Sequence, residues 1–373
     1  MRVGLNATSL NDRPSGAKQR FIGLYRALAA RRPDIDLIVF EPADCHVATW
    51  FEGLPNVHAR ATPLPSADRV RRTALGLRFW RGALKHEQLD LFEHFHLPLV
   101  KAPDCPTILT IHDPRSVRPE VPPLRRAIPM LVFRHAVAGA DHLVTVSETM
   151  RQELRGLGAV LPITSIYNGI DPEPFGRKEP GRAKATRSQL GLSEPFLLAV
   201  GHLEERKNYA RLIEAVAHLR GTGRAIGLVI VGNDAGLGNI LTEQIGRCGL
   251  SKNIKLLEGI AEEQLVDLYA LAEIVVFPSR YEGFGIPILE AMAARRPLVL
   301  SDIPVFRELT ESRGAYFPPE DSQAMADGIA RVLDSPARQA ELVAYGDERV
   351  RAFGFDELAR QLGNLYETVL AGS

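Results

Sequence analysis

Two glutamates enclose the compact string Glu282-Gly-Phe-Gly-Ile-Pro-Ile-Leu-Glu290, which follows the apolar run Ile274–Phe277 and the turn Pro278-Ser-Arg-Tyr. Gly283 and Gly285 let the backbone approach a ligand closely and turn its amides outward. Pro287 suits a helix start, because the N–H that proline lacks would be unpaired there anyway. The helix N-terminus behind Phe284, Gly285 and Ile286 offers partial positive charge to a phosphate or sugar oxygen. Glu282 in the loop and Glu290, about one turn into the helix, can each accept hydrogen bonds from hydroxyls, one from a sugar and one from a ribose. The plainer reading is a glycine turn leading into an amphipathic helix with one solvated glutamate. An acidic pair, an aromatic and a proline in one string favour a ligand site.

A second string, Gly201-His-Leu-Glu-Glu-Arg-Lys-Asn208, follows the apolar run Phe196–Val200. Arg206 and Lys207 place a guanidinium and an ammonium just past a strand end, where together they can hold a diphosphate and neutralise a leaving nucleotide. A solvated charged turn describes most such pairs. Position at the same edge of the fold as the glutamate loop turns the reading toward function.

The elements that position these strings alternate regularly. Val3–Leu5, Leu37–Phe40, Leu89–Phe92, Ile108–Ile111 and Leu143–Val146 read as parallel strands covered on both faces. Phe21, Leu24, Tyr25 and Leu28 mark one helical face between the first two. After Asn168-Gly-Ile-Asp171 the periodicity stops in a proline- and charge-rich stretch. A second series follows: Phe196–Val200, Leu228–Val231, Ile254–Leu257, Ile274–Phe277 and Leu298–Leu300. The expected fold is therefore α/β, two Rossmann-like doubly wound domains facing a cleft. Residues 1–170 form the first, 171–192 a linker and 193–354 the second. Ligands of such sheets bind beyond the carboxyl ends of the strands.

Bulk properties agree. The 373 residues exceed one ordinary core, and 45% hydrophobic with 24% charged residues is a soluble globular balance. Zero formal net charge gives no field that favours nucleic acid, so any bound anion needs a local cluster. Cys45, Cys105 and Cys248 are odd in number and form no Cys-x-x-Cys pair, which argues against a disulfide framework or zinc site. Met1-Arg-Val-Gly-Leu-Asn enters directly into a core strand, with no signal segment or membrane span, and a cytoplasmic location is expected.

The string from Phe277 to Met292, with its Glu-x7-Glu pattern, resembles the family 4 retaining glycosyltransferases of the GT-B fold, particularly bacterial polysaccharide mannosyl- and rhamnosyltransferases. Gly201–Asn208 resembles the family's phosphate-gripping loop. Tyr167-Asn-Gly-Ile-Asp resembles the exit from its N-terminal domain, Thr145-Val-Ser-Glu the preceding strand end, and Ile111-His-Asp113 the loop that carries a histidine near the transferred sugar. The resemblance implies a nucleotide-diphosphate sugar donor, no cofactor, no required metal and retention of anomeric configuration. It implies diphosphate contacts from Arg206 and Lys207, ribose contact from Glu290 and donor-sugar contact from Glu282. Amides near Gly283, Phe284, Gly285 and Ile286 would complete the cradle, and His112 would hydrogen-bond the donor sugar. The leaving diphosphate would take the acceptor's proton, so no paired nucleophile and acid of the glycosidase kind is needed. GDP-mannose is the donor expected first, ahead of UDP-hexoses and dTDP-rhamnose, with base choice resting on backbone and pocket shape around Leu257–Ile260.

Two features depart from the family pattern. The first loop reads Arg13-Pro-Ser-Gly-Ala-Lys-Gln-Arg20, with Gly16 followed by Ala17 where a glycine pair is usual. Lys18 and Arg20 there either bind a phosphorylated acceptor or form a solvated first helical turn. Near the end, Phe353 and Phe355 precede Leu358, Leu362, Leu365 and Tyr366, and this final helix, 355–373, is assigned to the N-terminal domain. Glu93-His-Phe-His96 lacks a third ligand at metal spacing.

Residues 69–85 and 124–134 are basic and carry Leu75, Leu77, Phe79, Trp80 and Leu84 in the first, Leu124 to Phe133 in the second. They read either as core helices with solvated basic faces or as elements lying on an anionic membrane surface. The second would suit peripheral attachment at the inner leaflet and a glycan or polyprenyl-linked saccharide acceptor. Alternative readings are a sugar-nucleotide epimerase, a sucrose- or trehalose-type synthase, or a non-catalytic nucleotide-sugar-binding relative. A nicotinamide dehydrogenase is disfavoured, because no Gly-x-Gly-x-x-Gly follows the first strand.

Overall fold

The structure, a computed structural model, describes residues 1–12, 15–98, 105–177 and 179–372, apart from the Arg81 side chain. Arg13 and Pro14 of the first loop and Lys178 of the expected linker lie outside the described residues. The chain divides into two compact units, Met1–Gly169 with Gly354–Ser373, and Ile170–Phe353.

The first unit holds β1 (Arg2–Asn6), β2 (Asp36–Glu41), β3 (Val57–Ala61), β4 (Leu91–His94), β5 (Thr107–Ile111), β6 (His142–Thr145) and β7 (Ile163–Ser165). They form one parallel sheet in the order β3-β2-β1-β4-β5-β6-β7. The order reverses between β1 and β4, the point where ligands of doubly wound sheets bind. Every residue of β4 and β5 is buried; the apolar run accounts for β5, whereas β4 also buries Glu93 and His94, two residues beyond the run Leu89–Phe92 expected as the strand.

Helix Gly16–Arg31 starts at Ser15, whose hydroxyl accepts the Lys18 N–H at 3.2 Å, and buries Phe21, Leu24, Tyr25 and Leu28 as their spacing predicts. The final helix, Phe355–Ala371, joins the same core through Leu358, Leu362, Leu365 and Tyr366. Room for Phe355 comes from two glycines. A Cβ on Gly23 would lie 2.2 Å from its ring, and one on Gly169 2.5 Å. The Tyr366 hydroxyl donates to Glu93 Oε2 at 2.6 Å and Thr110 to Glu93 Oε1 at 2.7 Å, which ties this helix to the centre of the sheet.

The second unit holds β8 (Phe196–Val200), β9 (Gly227–Val231), β10 (Ile254–Leu257), β11 (Ile274–Phe277), β12 (Leu298–Ser301) and β13 (Ala315–Phe317). The sheet is parallel in the order β10-β9-β8-β11-β12-β13, with its reversal between β8 and β11. Those are the strands that lead into the two chemistry-bearing strings.

The segment 171–192, expected as a linker, instead carries helices Glu173–Gly176 and Pro180–Gln189 inside the second unit. Pro180 starts a helix rather than breaking one. Arg182 donates to Asp267 at 3.0 Å and Thr186 at 2.8 Å, which fixes the second helix on its neighbour Glu262–Leu271. The two aromatics before the final helix divide between the units. Phe353 packs on Phe284 with ring centroids 6.0 Å apart, whereas Phe355 fills the glycine-lined space of the first unit.

Candidate active site

At the switch point of the second sheet, the loop after β8 and the loop after β11 are laced together. Asn208, at φ 59°, ends the turn Glu205–Lys207 and begins helix Tyr209–Gly221. Its side-chain amide donates to Pro278 O at 3.0 Å and to Pro319 O at 2.7 Å. The Arg280 N–H donates to Arg206 O at 2.8 Å. These bonds bring Arg206 and Lys207 against Glu282.

Glu282 is buried and holds both cations. Its Oε1 lies 2.7 Å from Lys207 Nζ and accepts from the Ser279 hydroxyl at 2.8 Å. Its Oε2 accepts from Arg206, which also donates to Tyr281 O at 3.2 Å and pairs with Glu204 at 2.5 Å. Burial alone would push the Glu282 carboxyl up, but the charges of Lys207 and Arg206 outweigh it and hold it below the usual range. The Arg206 Nε is buried with no hydrogen-bond partner among the described residues. A buried guanidinium donor left in that state is costly unless a ligand takes it. Gly201, at φ 146°, makes the space for Lys207, since a Cβ there would fall 2.8 Å from Nζ.

Behind this cluster, Gly285 at φ 117° caps helix Ile286–Ala293. Only glycine adopts that backbone without strain, so the turn that aims the helix N-terminus is written in the sequence. Phe284 and Ile286 are buried as side chains. Glu290 is buried too, and the Tyr269 hydroxyl donates to its Oε2 at 2.8 Å. Sequence reasoning missed Tyr269, whose place beside Leu268 on helix Glu262–Leu271 gives it only the spacing of a buried helical face. It also missed Ser279 and Glu204, both inside the strings singled out and detectable as hydrogen-bonding neighbours of the cations.

In the first unit, His112 follows β5 and is half-buried. Burial, helped by the Arg20 guanidinium, lowers its imidazole to about 3. Arg20 is not a solvated turn residue. It is buried and donates to Ile166 O at 2.9 Å, Tyr167 O at 2.6 Å and Asn168 Oδ1 at 3.3 Å, clamping the segment after β7. Lys18 donates to Asp12 O at 3.1 Å and lies 4.5 Å from the centre of the Trp50 ring, beside exposed Gly16.

His94 and His96 sit at the end of β4. Asn6 Nδ2 donates to His94 Nδ1 at 2.9 Å, so Nε2 carries the proton, and it has no partner among the described residues. Burial pushes His94 well below its usual value, and burial with the charges of Arg72 and Arg69 lowers His96 to about 3. No three histidine, cysteine, aspartate or glutamate side chains among the described residues could hold a metal ion together. The neutral histidines set a pH dependence. Below pH 6.5 the unfolded chain binds protons that His94, His96 and His112 refuse when folded. Stability therefore falls with falling pH from 6.5 toward about 3. Thermal melts across that range should show a declining midpoint, and His96→Gln should flatten the decline; a midpoint independent of pH from 6.5 to 4 would contradict it.

The two basic helices differ from each other. In Arg69–Glu87, Trp80 and Leu84 are core residues, with Trp80 edge-on to Phe40 at 5.2 Å between centroids, as the core-helix reading has it. In Pro123–Ala138, Leu124, Ile128 and Leu131 are 91%, 75% and 70% exposed on one face. Among the described residues no helix is long and apolar enough to cross a membrane.

Two parallel doubly wound sheets, with cations gripped at the switch point of the second, define the two-Rossmann, GT-B class of protein. Residues 14–174 match the family described as Glycosyltransferase Family 4, and residues 183–349 the one described as Glycosyl transferases group 1. The chain belongs to the family 4 glycosyltransferases. It is 35% identical over 210 residues to an alpha-D-kanosaminyltransferase of Streptomyces kanamyceticus, a match that covers 54% of each chain, so it spans about half the length of that relative. It is 26% identical over 284 residues to the O-antigen chain mannosyltransferase RfbU of Salmonella typhimurium, covering 75% of this chain and 73% of RfbU. The Anabaena protein HepE, solved in complex with UDP-glucose, superposes with a TM-score of 0.77 at 21% identity over 99% of this chain and 100% of its own.

Proposed function

We propose that the chain is a retaining glycosyltransferase that moves a hexose from a nucleotide-diphosphate sugar to a glycan or lipid-linked saccharide without a metal. The observation that carries this reading is the pair Arg206 and Lys207, fixed by Glu282 at the switch point of the second sheet, with a buried guanidinium donor of Arg206 unfilled. A diphosphate supplies the missing acceptor oxygens and the negative charge for both cations.

The residues divide the work. Arg206 and Lys207 stabilise charge that grows on the leaving diphosphate as the C1–O bond breaks. Glu282 holds them in place and offers its remaining lone pairs to a donor-sugar hydroxyl. Glu290, oriented by Tyr269, accepts from the ribose. The amides of Gly283 to Ile286 and the helix N-terminus receive phosphate oxygens. His112 is neutral in the working range and acts as a hydrogen-bonding ligand of the transferred sugar rather than as a charged acid. The acceptor hydroxyl oxygen bonds to C1 on the face the diphosphate leaves, and a diphosphate oxygen takes its proton.

The donor proposed first is GDP-mannose, supported by the likeness to the mannosyltransferase RfbU. A UDP-hexose is the second reading, favoured by the fold shared with HepE and its UDP-glucose. Incubation with each nucleotide sugar in EDTA, followed by proton NMR of the anomeric region, tests the proposal. Acceptor-dependent release of nucleoside diphosphate with an α-linked product is expected; release that requires added metal, or an inverted product, would overturn it.

Peripheral membrane attachment belongs to the same proposal. Leu124, Ile128 and Leu131 form an exposed apolar stripe beside exposed Arg125 and Arg134, the composition of a helix lying on anionic headgroups. Sedimentation with anionic liposomes at low salt should recover the protein in the pellet, and Ile128→Glu should return it to the supernatant. Equal pelleting of both proteins would sink the idea.

A further inference from the structure

The carboxyl ends of β1, β4 and β5 open into a cavity of about 320 Å³ within the first unit, walled on one side by the first half of helix Arg69–Glu87. Asn6, Thr8, Arg69, Arg72, Thr73 and His96 contribute to its lining. Among the described residues two guanidiniums face a space with one lining carboxylate, Asp113, and that carboxylate is engaged by Arg115, whose N–H it accepts at 2.6 Å. Arg72 is anchored by donating to Pro65 O at 3.2 Å and to Ser66 O, which aims it without neutralising it. Its buried surroundings and the neighbouring Arg69 lower its proton affinity, and both cations depress His96. Asp44 and Asp68 lie near enough to offset part of this on Arg72. Both Asp44 oxygens accept from Ser66, and Asp68 Oδ1 accepts the Arg71 N–H at the helix cap. The cavity also carries an unmet hydrogen-bonding atom, since His96 Nδ1 is buried without a partner among the described residues.

We infer that this cavity takes a phosphoryl group of the acceptor, gripped by Arg69 and Arg72. The inference rests on the transferase reading for the word acceptor, but not for the ligand chemistry. Two guanidiniums match a dianion in charge and in the planar fork geometry that phosphate oxygens accept. A carboxylate would leave one of them uncompensated. Thr73 adds a hydroxyl donor, whereas the Thr8 hydroxyl already donates to Asn6 Oδ1 at 2.7 Å, and neutral His96 can meet a sugar hydroxyl next to the phosphate. The same chemistry arrives on a soluble sugar phosphate or on a lipid-linked diphosphate.

The test is calorimetric titration of the full chain with inorganic pyrophosphate after saturation with nucleoside diphosphate, which fills the second unit's site. A second binding event is expected, weakened about tenfold by Arg69→Gln and by Arg72→Gln, with nucleoside diphosphate affinity unchanged. Arg72 also braces the loop at Pro65 and Ser66, so Arg69→Gln, at an exposed helix start, is the variant that isolates charge from folding. Arg69→Glu should abolish the event. Competition by glucose 6-phosphate identifies a soluble source, and competition confined to vesicles carrying a polyprenyl diphosphate identifies a lipid one. No pyrophosphate binding to the saturated protein, or binding retained in all three variants, overturns the inference. Failure of nucleoside diphosphate itself to bind would instead overturn the transferase reading, and the pyrophosphate titration of the unsaturated protein would still report on the cavity.

Discussion

Replacing Lys207 by alanine is expected to raise the dissociation constant for the nucleoside diphosphate about 30-fold and to lower kcat/KM about 1000-fold. The two effects differ because the ammonium meets some charge in the ground state and more as the sugar leaves. Lys207 is 8% exposed, and its Nζ lies 2.7 Å from Glu282 in a space that Gly201 keeps open. In such a site a fixed cation is worth far more than on the surface, and no water can replace it without reorganising. Arg206 stays paired with Glu282 in the variant, so the fold should survive and the loss should be read in binding and turnover. Calorimetry and initial rates check it; an unchanged diphosphate affinity would remove Lys207 from the donor site.

Glu282→Gln should act in the opposite order, on stability first. Removing one partner of a buried ion pair leaves the others uncompensated and costs about 3 kcal/mol. Here one carboxylate serves both an 8% exposed lysine and a half-buried arginine. For a unit of this size that should lower the melting midpoint by about 6 to 12 °C. Added nucleoside diphosphate returns the missing negative charge, so the ligand-induced rise in midpoint should exceed that of the natural protein. Transfer should nevertheless fall, because the cations lose their fixed positions. Because the Glu282 carboxyl is held below its ordinary value of 4.5, the stabilisation it gives is present above that pH and is lost as pH falls through its lowered value. A variant as stable as the natural protein, or one less responsive to diphosphate, would contradict this account.

The strands that sequence patterns predicted are mostly the buried ones. Ile274–Phe277 is apolar at every position, and Ile108–Ile111 at all but Thr110, because helices cover both faces of these sheets. β3, β7 and β13 escaped notice, and all three lie at sheet edges. Val57-His-Ala-Arg-Ala61 is half-exposed and mixed in character, and β7 and β13 are three residues long. Edge strands need no continuous apolar run, so periodicity has little to register there. The helices of 171–192 were hidden for a different reason. Their prolines were weighed as breakers, whereas Pro172 and Pro180 stand at helix starts, and contact with Asp267 supplies what local periodicity lacks.

The candidate site was readable where backbone conformation and charge are written in single residues. Gly285 at a left-handed φ, the helix behind it and the Arg-Lys pair all lie where the strings placed them. What could not be read was mutual engagement. Nothing in the spacing of Glu282 and Lys207, 75 positions apart, says that the carboxylate holds both cations. Nor does the spacing say that Tyr269 orients Glu290, or that Arg20 is spent on the carbonyls of Ile166 and Tyr167. Burial depends on the fold's crossovers, and those bring together residues that no local pattern connects.

Titration of the unaltered protein with nucleoside diphosphates and their monophosphates, in EDTA, is the most direct test of the site built by Arg206, Lys207 and Glu282. One diphosphate should bind at least about tenfold more tightly than its monophosphate, since only the diphosphate spans both cations. Equal affinity for the diphosphate and monophosphate, or an equal response to NAD, would contradict it.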